Sequence, residues 1–497
     1  MAALVLGALA ALLALLAARA AAFKPRAAAG PRAAALDPAA SPPCLGRVDA
    51  PSAAARLAEM LRRRTVSSRD LSKVDYREYE SFIELLPGLY PAAHRAMTRE
   101  VAGGYSLLYH WKGRSASEPL VLMAHYDVVA AEGAGWSHPP FSGRIAEGKV
   151  WGRGSLDTKC TLCCALEAVE LLAASGCVPE RDIYLSFGHD EEVAGEGTPA
   201  ILALLALRGV QPGLVLDEGG GVVEGVFPGV TRPAALIGVA EKGITDLELS
   251  ARSPGGHAST PPRRGAAAAL ARAVLRLERR PFPPSLPRPT LAMLGELGRH
   301  APFGLRLVLA NLWLFRPLLA AAFAASGGET GAMCRTTTAV TMLAGSEGAN
   351  ILPARVSAVV NMRIAIGETV EGALARIRRV VADPRIELAL IHPGEPSPVS
   401  ETEGPSWELV AGAASATYPE AVAAPYVALG ATDARHYARL CPRVYRFSPF
   451  EFSKAERASM HAVDEAIPVA KLGKGIEFYL RLIAAYPPKP SAPGKET

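Results

Sequence analysis

The sequence predicts an α/β protein with a largely parallel sheet and a second, α+β unit inserted into the chain. Two observations support this fold class. From residue 119 onward, short apolar strands alternate with helical patterns, which is typical of a parallel sheet whose strands are connected by helices. Near Lys242 the pattern changes to strands in which apolar and polar residues alternate. The length of 497 residues is sufficient for two domains, each with a sizeable core.

The first part of the chain supplies the elements of the parallel sheet. We predict, in order, strands at 105–111 and 120–123, a helix at 160–174, a strand at 182–187, a helix at 199–207 and a strand at 214–216. The inserted unit is predicted to contain strands at 245–251, 356–364 and 386–391 and helices at 265–279 and 370–381. The final part, 405–485, returns to the earlier pattern and ends in a helix at 469–484.

The N-terminal segment indicates export. Its first 22 residues contain one charged side chain, Arg19, and end in small residues that suit a cleavage site. We therefore expect a cleaved signal peptide and a secreted, extracellular protein. An uncleaved signal anchor is the alternative, because the apolar run is nearly long enough to cross a bilayer. The predicted segments are a signal peptide at 1–22, a flexible lead-in at 23–55, a main domain at 56–242 and 398–497, and the inserted unit at 243–397.

Composition excludes several classes of protein. Basic residues are scattered and aromatic residues are only 6% of the chain, so we expect no nucleic-acid binding. The seven cysteines are an odd number, and Cys160, Cys163 and Cys164 crowd into one predicted helix. This spacing does not resemble a disulfide framework and favours small buried apolar residues.

The stretch 303-FGLRLVLANLWLFRPLLAAAFAAS-326 is long enough to span a membrane. Arg306, Arg316 and Pro317 argue against a span, because a charge in the middle of the bilayer is costly. The sequence favours core helices of the inserted unit. A wall for an apolar substrate, or a contact with a membrane surface, is the alternative.

Histidines and carboxylates recur just after apolar strands. They occur in 124-AHYD-127, 152-GRGSLDTK-159, 188-GHDEE-192, 214-LVLDEGG-220 and 459-SMHAVDEA-466. In open α/β sheets, ligand sites form at the carboxyl ends of the strands. We therefore expect these side chains to gather at one sheet edge and to bind metal. The candidate ligands are His125, Asp157, Glu192, Asp217 and His461.

The number and type of these ligands indicate the metal. Imidazole and carboxylate ligands suit zinc, with manganese or cobalt as substitutes. Five ligands exceed the need of one tetrahedral ion and fit two ions that share a carboxylate and a water. Asp127 lies two residues after His125, on the same side of a strand, so it can accept the other ring N–H and fix the imidazole.

The chain resembles the co-catalytic dizinc metallopeptidases, which include aminoacylases, carnosinases and Gly-X carboxypeptidases. The resemblance rests on the order of its motifs: H-x-D, G-R-G-x-x-D-x-K, D-E-E, D and a late His. The similarity runs from about residue 56 to 485. It implies a zinc-peptidase catalytic domain with an inserted lid and dimerisation domain. It also implies one zinc on His125 and Asp217, another on Glu192 and His461, and Asp157 bridging both. Family members carry a cis peptide after this aspartate.

The resemblance implies further roles. Glu191 would be the general base, and His257, in 253-SPGGHASTPP-262, would donate to the oxyanion in the partner subunit of a homodimer. Asn350, Arg363 and Arg435 would contact a substrate carboxylate, which suits the planar guanidinium fork. By spacing alone, His257 could equally lie in a surface turn and Arg363 on an exposed strand face.

The expected function is that of a dizinc amidohydrolase. The resemblance is closest to secreted members that hydrolyse, and reversibly form, N-fatty-acyl amino acids from a fatty acid and a free amino acid, with contact to a lipoprotein or membrane surface as a further expectation. A secreted dipeptidase or Gly-X carboxypeptidase with the same metal site is the alternative. A catalytically silent carrier protein is a third possibility. Glu191 argues against it, because a carrier needs no general base.

Overall fold

The computed structural model describes residues 1–25, 42, 44–131, 135–226 and 229–487. The first part of the chain contains six helices and nine strands among these residues. The helices are α1 (Ala2–Ala22), α2 (Ala50–Leu61), α3 (Tyr76–Leu89), α4 (Pro91–Ala96), α5 (Lys159–Ala174) and α6 (Gly197–Leu207). The strands are β1 (Met97–Ala102), β2 (Ser106–Trp111), β3 (Leu120–His125), β4 (Arg144–Ala146), β5 (Lys149–Trp151), β6 (Ile183–Gly188), β7 (Leu214–Asp217), β8 (Gly221–Val223) and β9 (Ala234–Glu241).

The remaining elements lie between residues 243 and 484. The strands are β10 (Gly243–Arg252), β11 (Gly256–His257), β12 (Thr337–Ala344), β13 (Ile351–Leu352), β14 (Arg355–Ile364), β15 (Glu387–His392), β16 (Val422–Ala428), β17 (Val444–Arg446), β18 (Glu451–Phe452) and β19 (Ala466–Pro468). The helices are α7 (Ala266–Arg279), α8 (Arg288–Gly298), α9 (Phe303–Leu309), α10 (Leu312–Ser326), α11 (Gly328–Ala332), α12 (Val370–Val381), α13 (Pro405–Thr417), α14 (Ala434–Tyr437), α15 (Lys454–Ser459) and α16 (Val469–Ala484).

A ten-stranded mixed sheet forms the centre of the fold. Its strand order is β1-β2-β6-β3-β7-β17-β9-β8-β18, with β16 paired to β9. The neighbours β6, β3, β7 and β17 run parallel to one another. Strands β3, β6 and β7 are buried along their whole length, as expected when helices cover both faces of a parallel sheet. The α/β class with a large, mostly parallel sheet is thus confirmed.

The helix α5 lies in the main core. Its three cysteines, Cys160, Cys163 and Cys164, are fully buried. Cys163 Sγ contacts the carbonyl of Ala53, and Cys164 Sγ contacts that of Leu472, so each packs against a different helix. All seven cysteines of the chain are free thiols. The expectation of small buried residues, in place of a disulfide framework, is therefore confirmed.

A second, four-stranded antiparallel sheet has the order β12-β14-β10-β15. The helices α7 and α12 pack on it and form a separate cluster that includes Leu249, Leu270 and Ile377. All predicted strands and helices are found within two residues of their predicted bounds. Of the predicted lead-in, residues 26–41 and 43 lie outside the described residues, while α2 begins at Ala50. The boundaries of the inserted unit at 243 and 397 remain a proposal.

The apolar stretch 303–326 differs from the expectation. It forms α9 and α10, which are bent by 102° relative to each other. Its buried side chains Leu309, Ala320 and Phe323 join the core of the large sheet, not the cluster of the four-stranded sheet. The expected placement in the core of the inserted unit is therefore wrong. The sequence shows that these residues are apolar, but not which of two cores receives them.

The N-terminal helix α1 packs against this bent pair. Asn311 accepts a hydrogen bond from Arg19 Nε at 3.0 Å and donates one to the Leu16 carbonyl at 3.1 Å. Among the described residues, α1 is the one helix long and apolar enough by itself to cross a membrane, and 6% of its most apolar window is buried. An exposed apolar N-terminal helix of this length is consistent with a signal peptide.

The central strand β3 offers a test of this core. Leu122 is fully buried between β6 and β7. We expect Leu122→Ala to lower the free energy of unfolding by ~2–5 kcal/mol, because it leaves a cavity in a close-packed interior. Leu207, which is 84% exposed at the end of α6, is the matched control. Chemical denaturation should show little change for Leu207→Ala; equal losses for the two variants would contradict the placement of β3.

Candidate metal centre and active site

The candidate site lies at the carboxyl end of the parallel strands. His125 is the last residue of β3, and the segment that carries Glu191 and Glu192 follows β6. Asp217 ends β7 and is followed by Glu218. Because these strands are parallel neighbours, their carboxyl ends meet at one edge of the sheet. Local strand geometry therefore brings together residues that are far apart in the sequence.

Asp157 lies between two imidazoles. Its Oδ1 is 3.2 Å from His125 Nε2, and its Oδ2 is 3.0 Å from His461 Nε2. Glu192 Oε2 is 3.2 Å from the same nitrogen of His461. One carboxylate thus presents one oxygen to each imidazole. This arrangement suits a bridging ligand between two cations. The peptide bond from Asp157 to Thr158 is cis, as the resemblance implied.

Glu218, not Asp217, completes the cluster beside His125. The Glu218 carboxylate lies 3.1 Å from His125 Nε2. Both oxygens of Asp217 instead accept backbone N–H groups, from Glu218 and from Ala434, each at 2.9 Å. The structure therefore does not place Asp217 where the expected ligand should be. Successive side chains at a strand end point to opposite faces, so only one of two adjacent acids can face His125.

Asp127 supports both the imidazole and the acidic loop. His125 Nδ1 lies 3.0 Å from the Asp127 carbonyl and 3.2 Å from its Oδ1. The two carboxylate oxygens accept the backbone N–H groups of Glu191 and Glu192, each at 3.1 Å. Asp127 is completely buried. It can therefore orient the His125 ring and, through the same side chain, fix the loop that carries Glu191 and Glu192.

Glu191 is placed next to the cluster. Its Oε2 lies 3.9 Å from His125 Nε2, which is farther than the Glu218 and Asp157 oxygens. Burial, opposed by the His125 imidazole, raises the pKa of Glu191 well above its usual value. A carboxylate with a raised pKa is suited to accept a proton and to return it near neutral pH.

Negative charge dominates the cluster. Burial alone would lower the pKa of His125, but Glu218, Asp127 and Asp157 raise it well above its usual value. Burial raises the pKa of Glu218 to about 7, although His125 lowers it. Oε1 of Glu192 is buried and has no hydrogen-bond partner. A divalent cation would satisfy that oxygen and offset the crowded carboxylates, so the residues present fit a metal centre.

Ligand atoms of two groups of side chains are close enough to share cations. His125, Asp157 and Glu192 form one group, and His125, Glu191 and Glu218 form the other, with all ligand atoms of a group within 4.8 Å. The donors are imidazole nitrogen and carboxylate oxygen, which zinc and manganese accept.

A cavity of about 1190 Å³ opens beside the cluster, between the large sheet and the four-stranded sheet. Arg363 of β14 and Arg435 of α14 both line it, together with Lys242 and Asp246. Arg363 Nε donates to Asn361 Oδ1 at 3.1 Å, and Arg435 donates to the carbonyl of Thr432 at 3.3 Å. Two of the expected substrate contacts therefore lie within the same cavity as the cluster.

His257 and Asn350 lie elsewhere on the surface. His257 is in β11, which pairs with β13, and its ring is exposed. Its Nδ1 lies 2.7 Å from Ser259 Oγ. The carbonyl of Asn350 accepts a hydrogen bond from Ala258 at 3.0 Å. Neither residue lines the cavity described above. The resemblance implied a role in the partner subunit for His257. The expected contact of Asn350 with the substrate would also need a partner subunit, because Asn350 does not line this cavity.

This fold, with clustered imidazoles and carboxylates at the ends of its parallel strands, fits a metal-dependent amidohydrolase. Residues 121–485 match the model of peptidase family M20/M25/M40, and the chain belongs to this family.

The relatives and solved structures agree with this assignment. The chain is 38% identical over 412 residues to the N-fatty-acyl-amino acid synthase/hydrolase PM20D1.1 of Danio rerio, covering 81% of this chain and 80% of the relative. It is 35% identical over 438 residues to the probable carboxypeptidase S-like 2 of Dictyostelium discoideum, covering 86% and 84%. The crystal structure of human carnosine dipeptidase 1 superposes with a TM-score of 0.63 at 12% identity, covering 90% of this chain and 99% of that one. At this identity the likeness is one of fold.

Substitutions at Asp217 and Glu218 test which of these adjacent acids is a metal ligand. We expect Glu218→Gln to weaken metal affinity by at least ~10-fold, because changes even to groups behind the ligands have effects of that size. Asp217→Asn, the matched comparison, should lower the free energy of unfolding and weaken metal affinity less than Glu218→Gln does, because Asp217 reaches the site only through the backbone N–H of Glu218. Competition with a metal chelator measures both variants. The reverse order of effects would return Asp217 to the ligand set.

Proposed function

We propose that this protein hydrolyses N-fatty-acyl amino acids to a fatty acid and a free amino acid, and forms them in the reverse direction, with two zinc ions per subunit. The observation that carries the proposal is the position of Asp157 between two imidazoles, with Glu191 alongside, its side chain 14% exposed. The choice of substrate is supported by the relative from Danio rerio, whose sequence this chain matches over most of its length.

In the proposed site, His125 and Glu218 would hold one ion, Glu192 and His461 would hold the other, and Asp157 would serve both. When bound, such ions acidify water and polarise a carbonyl. Manganese and cobalt offer the same coordination chemistry as substitutes.

Glu191 carries the proton in the proposed reaction. Its carboxylate accepts a proton from the attacking water and passes it to the nitrogen of the leaving amine. Partial burial favours this role, because it raises the pKa of Glu191 well above its usual value. Asp127 holds the Glu191 backbone, so the base keeps its position. The same groups serve both directions, and in water hydrolysis is favoured unless both products are abundant.

The substrate carboxylate is assigned to the arginines of the cavity. Arg363 and Arg435 each present a planar fork that matches a carboxylate at two points. Asn350 and His257 are proposed to act in the site of a partner subunit in a homodimer. Strand β12 is an edge strand of the four-stranded sheet and exposes Val340, Met342 and Leu343. An exposed apolar edge strand favours pairing with another chain, which supports a dimer interface on this sheet.

The acyl chain is assigned to the apolar part of the cavity wall, which consists of Leu71, Val74, Ile244, Phe452 and Met460 among others. The sequence suggested an acyl wall at 303–326, but none of these residues lines the cavity. Instead, Phe303, Trp313 and Leu318 are exposed. These exposed apolar side chains support the other alternative for this stretch, contact with a membrane or lipoprotein surface. The proposed route of export is secretion by means of the N-terminal helix.

A comparison of substrates that differ in acyl-chain length tests the proposed substrate class. We expect kcat/KM to rise by at least ~10-fold from the N-acetyl to the N-oleoyl derivative of one amino acid, because each buried methylene contributes ~0.8 kcal/mol. A dipeptide with the same C-terminal residue is the comparison. Equal values for both acyl chains, or a preference for the dipeptide, would favour the second candidate, a dipeptidase or carboxypeptidase, which the relative from Dictyostelium discoideum supports.

Glu191→Gln tests the proposed base. We expect kcat to fall by ~10²–10⁴-fold, since general acid–base catalysis contributes that amount, while bound zinc stays at the level of the parent protein. Zinc is measured on the same samples by mass spectrometry. A variant that retains turnover would exclude Glu191 as the base. Loss of zinc together with activity would assign it to the ligands.

A further inference from the structure

We propose that Glu465 is a positioning residue for the metal centre: it fixes the loop that carries Asp157 against the loop that carries His461. This inference rests on the proposed metal site, but it concerns a residue that does not line the cavity. It was not among the candidates from the sequence, although it lies within the motif 459-SMHAVDEA-466.

The Glu465 carboxylate is fully buried and accepts four hydrogen bonds from one short loop. Its Oε1 accepts the backbone N–H groups of Leu156 at 2.7 Å and Asp157 at 3.1 Å. Its Oε2 accepts a hydrogen bond from Arg153 Nη1 at 2.6 Å and another from the backbone N–H of Gly154 at 3.1 Å. Every one of these donors lies within four residues of Asp157. A single side chain therefore determines the path of the backbone up to the shared carboxylate.

The same interactions fix the second loop. Arg153 bonds Glu465 through one nitrogen and donates to the carbonyl of Ala462 through the other, at 3.0 Å. Ala462 directly follows His461. The backbone of Glu465 also accepts the Gly152 N–H at 2.9 Å, where β19 pairs with β5. The two loops are thus connected at Ala462 and at Glu465, both shortly after His461.

The backbone of the second loop needs this support. His461 and Asp464 have φ values of 62° and 60°, in the left-handed region that residues other than glycine seldom adopt. Such conformations persist where the surroundings impose them. Asp464 accepts hydrogen bonds from Ser137 at 2.6 Å and 2.9 Å, and Ala462 is held by Arg153. The angle at which His461 meets Asp157 therefore depends on contacts made through Arg153 and Glu465.

A purely structural ion pair would have a different effect. Glu167 provides the comparison, because it is 4% exposed and accepts Arg56 at 2.8 Å and 2.6 Å. It lies on α5 and contacts α2, and no metal-ligand loop is among its partners. Loss of either buried carboxylate should lower the stability of the fold. Only Glu465 should change how the ligands are held.

The experiment compares Glu465→Gln with Glu167→Gln in the full chain. The glutamine at 465 turns an NH₂ group toward backbone donors, so the Asp157 loop must shift. We expect affinity for zinc, measured by competition with a fluorescent chelator at a temperature where both variants are folded, to fall ~10–100-fold for Glu465→Gln only. Equal zinc affinity for the two variants would overturn the proposal.

A second variant covers the case in which Glu465→Gln does not fold. Arg153→Lys keeps the positive charge beside Glu465 but loses the planar fork that also reaches Ala462. It should show weaker zinc binding than the Glu167→Gln control, and zinc affinity equal to that of the control would overturn the proposal. If the unaltered protein binds no zinc, the proposed function itself fails. If that protein binds zinc and the Glu465 and Arg153 variants bind it equally well, only the positioning role fails.

Discussion

The carboxylate of Asp157, placed between two imidazoles, is the constraint on which the rest of the site depends. It presents one oxygen to His125 and the other to His461, which are separated by most of the chain. Three parallel strand ends supply His125, the Glu191–Glu192 segment and Glu218 around it. Each of these groups is costly to bury alone. Their proximity is stable only if positive charge compensates the carboxylates, which is why the geometry and the electrostatics both favour bound cations.

Behind the ligands lies a layer of side chains that hold them in place. Asp127 binds the His125 ring on one side and the backbone of Glu191 and Glu192 on the other. Glu465 performs the corresponding role for Asp157 through the backbone. Metal sites require such support, because a ligand that can turn away binds weakly. In this protein three buried carboxylates outside the proposed ligand set, Asp127, Asp217 and Glu465, accept hydrogen bonds from the loops that carry the site.

Much of this was predictable from the sequence, because apolar periodicity is a strong signal. The buried strands ending at His125 and Asp217 and the long helix at 469–484 could be read directly. The choice between Asp217 and Glu218 could not be predicted, because both are acidic. The sequence alone does not say which of two adjacent side chains at a strand end points toward His125. The packing of 303–326 on the large sheet depended on tertiary contacts. Glu465 gave no signal of its own, because its partners are mainly backbone groups.

In the proposed site, two cations share Asp157. The most direct measurement is anomalous diffraction at the zinc edge from crystals of the zinc-loaded protein. We expect two peaks about 3.5–4 Å apart, the usual spacing of paired catalytic metals, on either side of the Asp157 carboxylate. A single peak, or two peaks remote from Asp157, would contradict it.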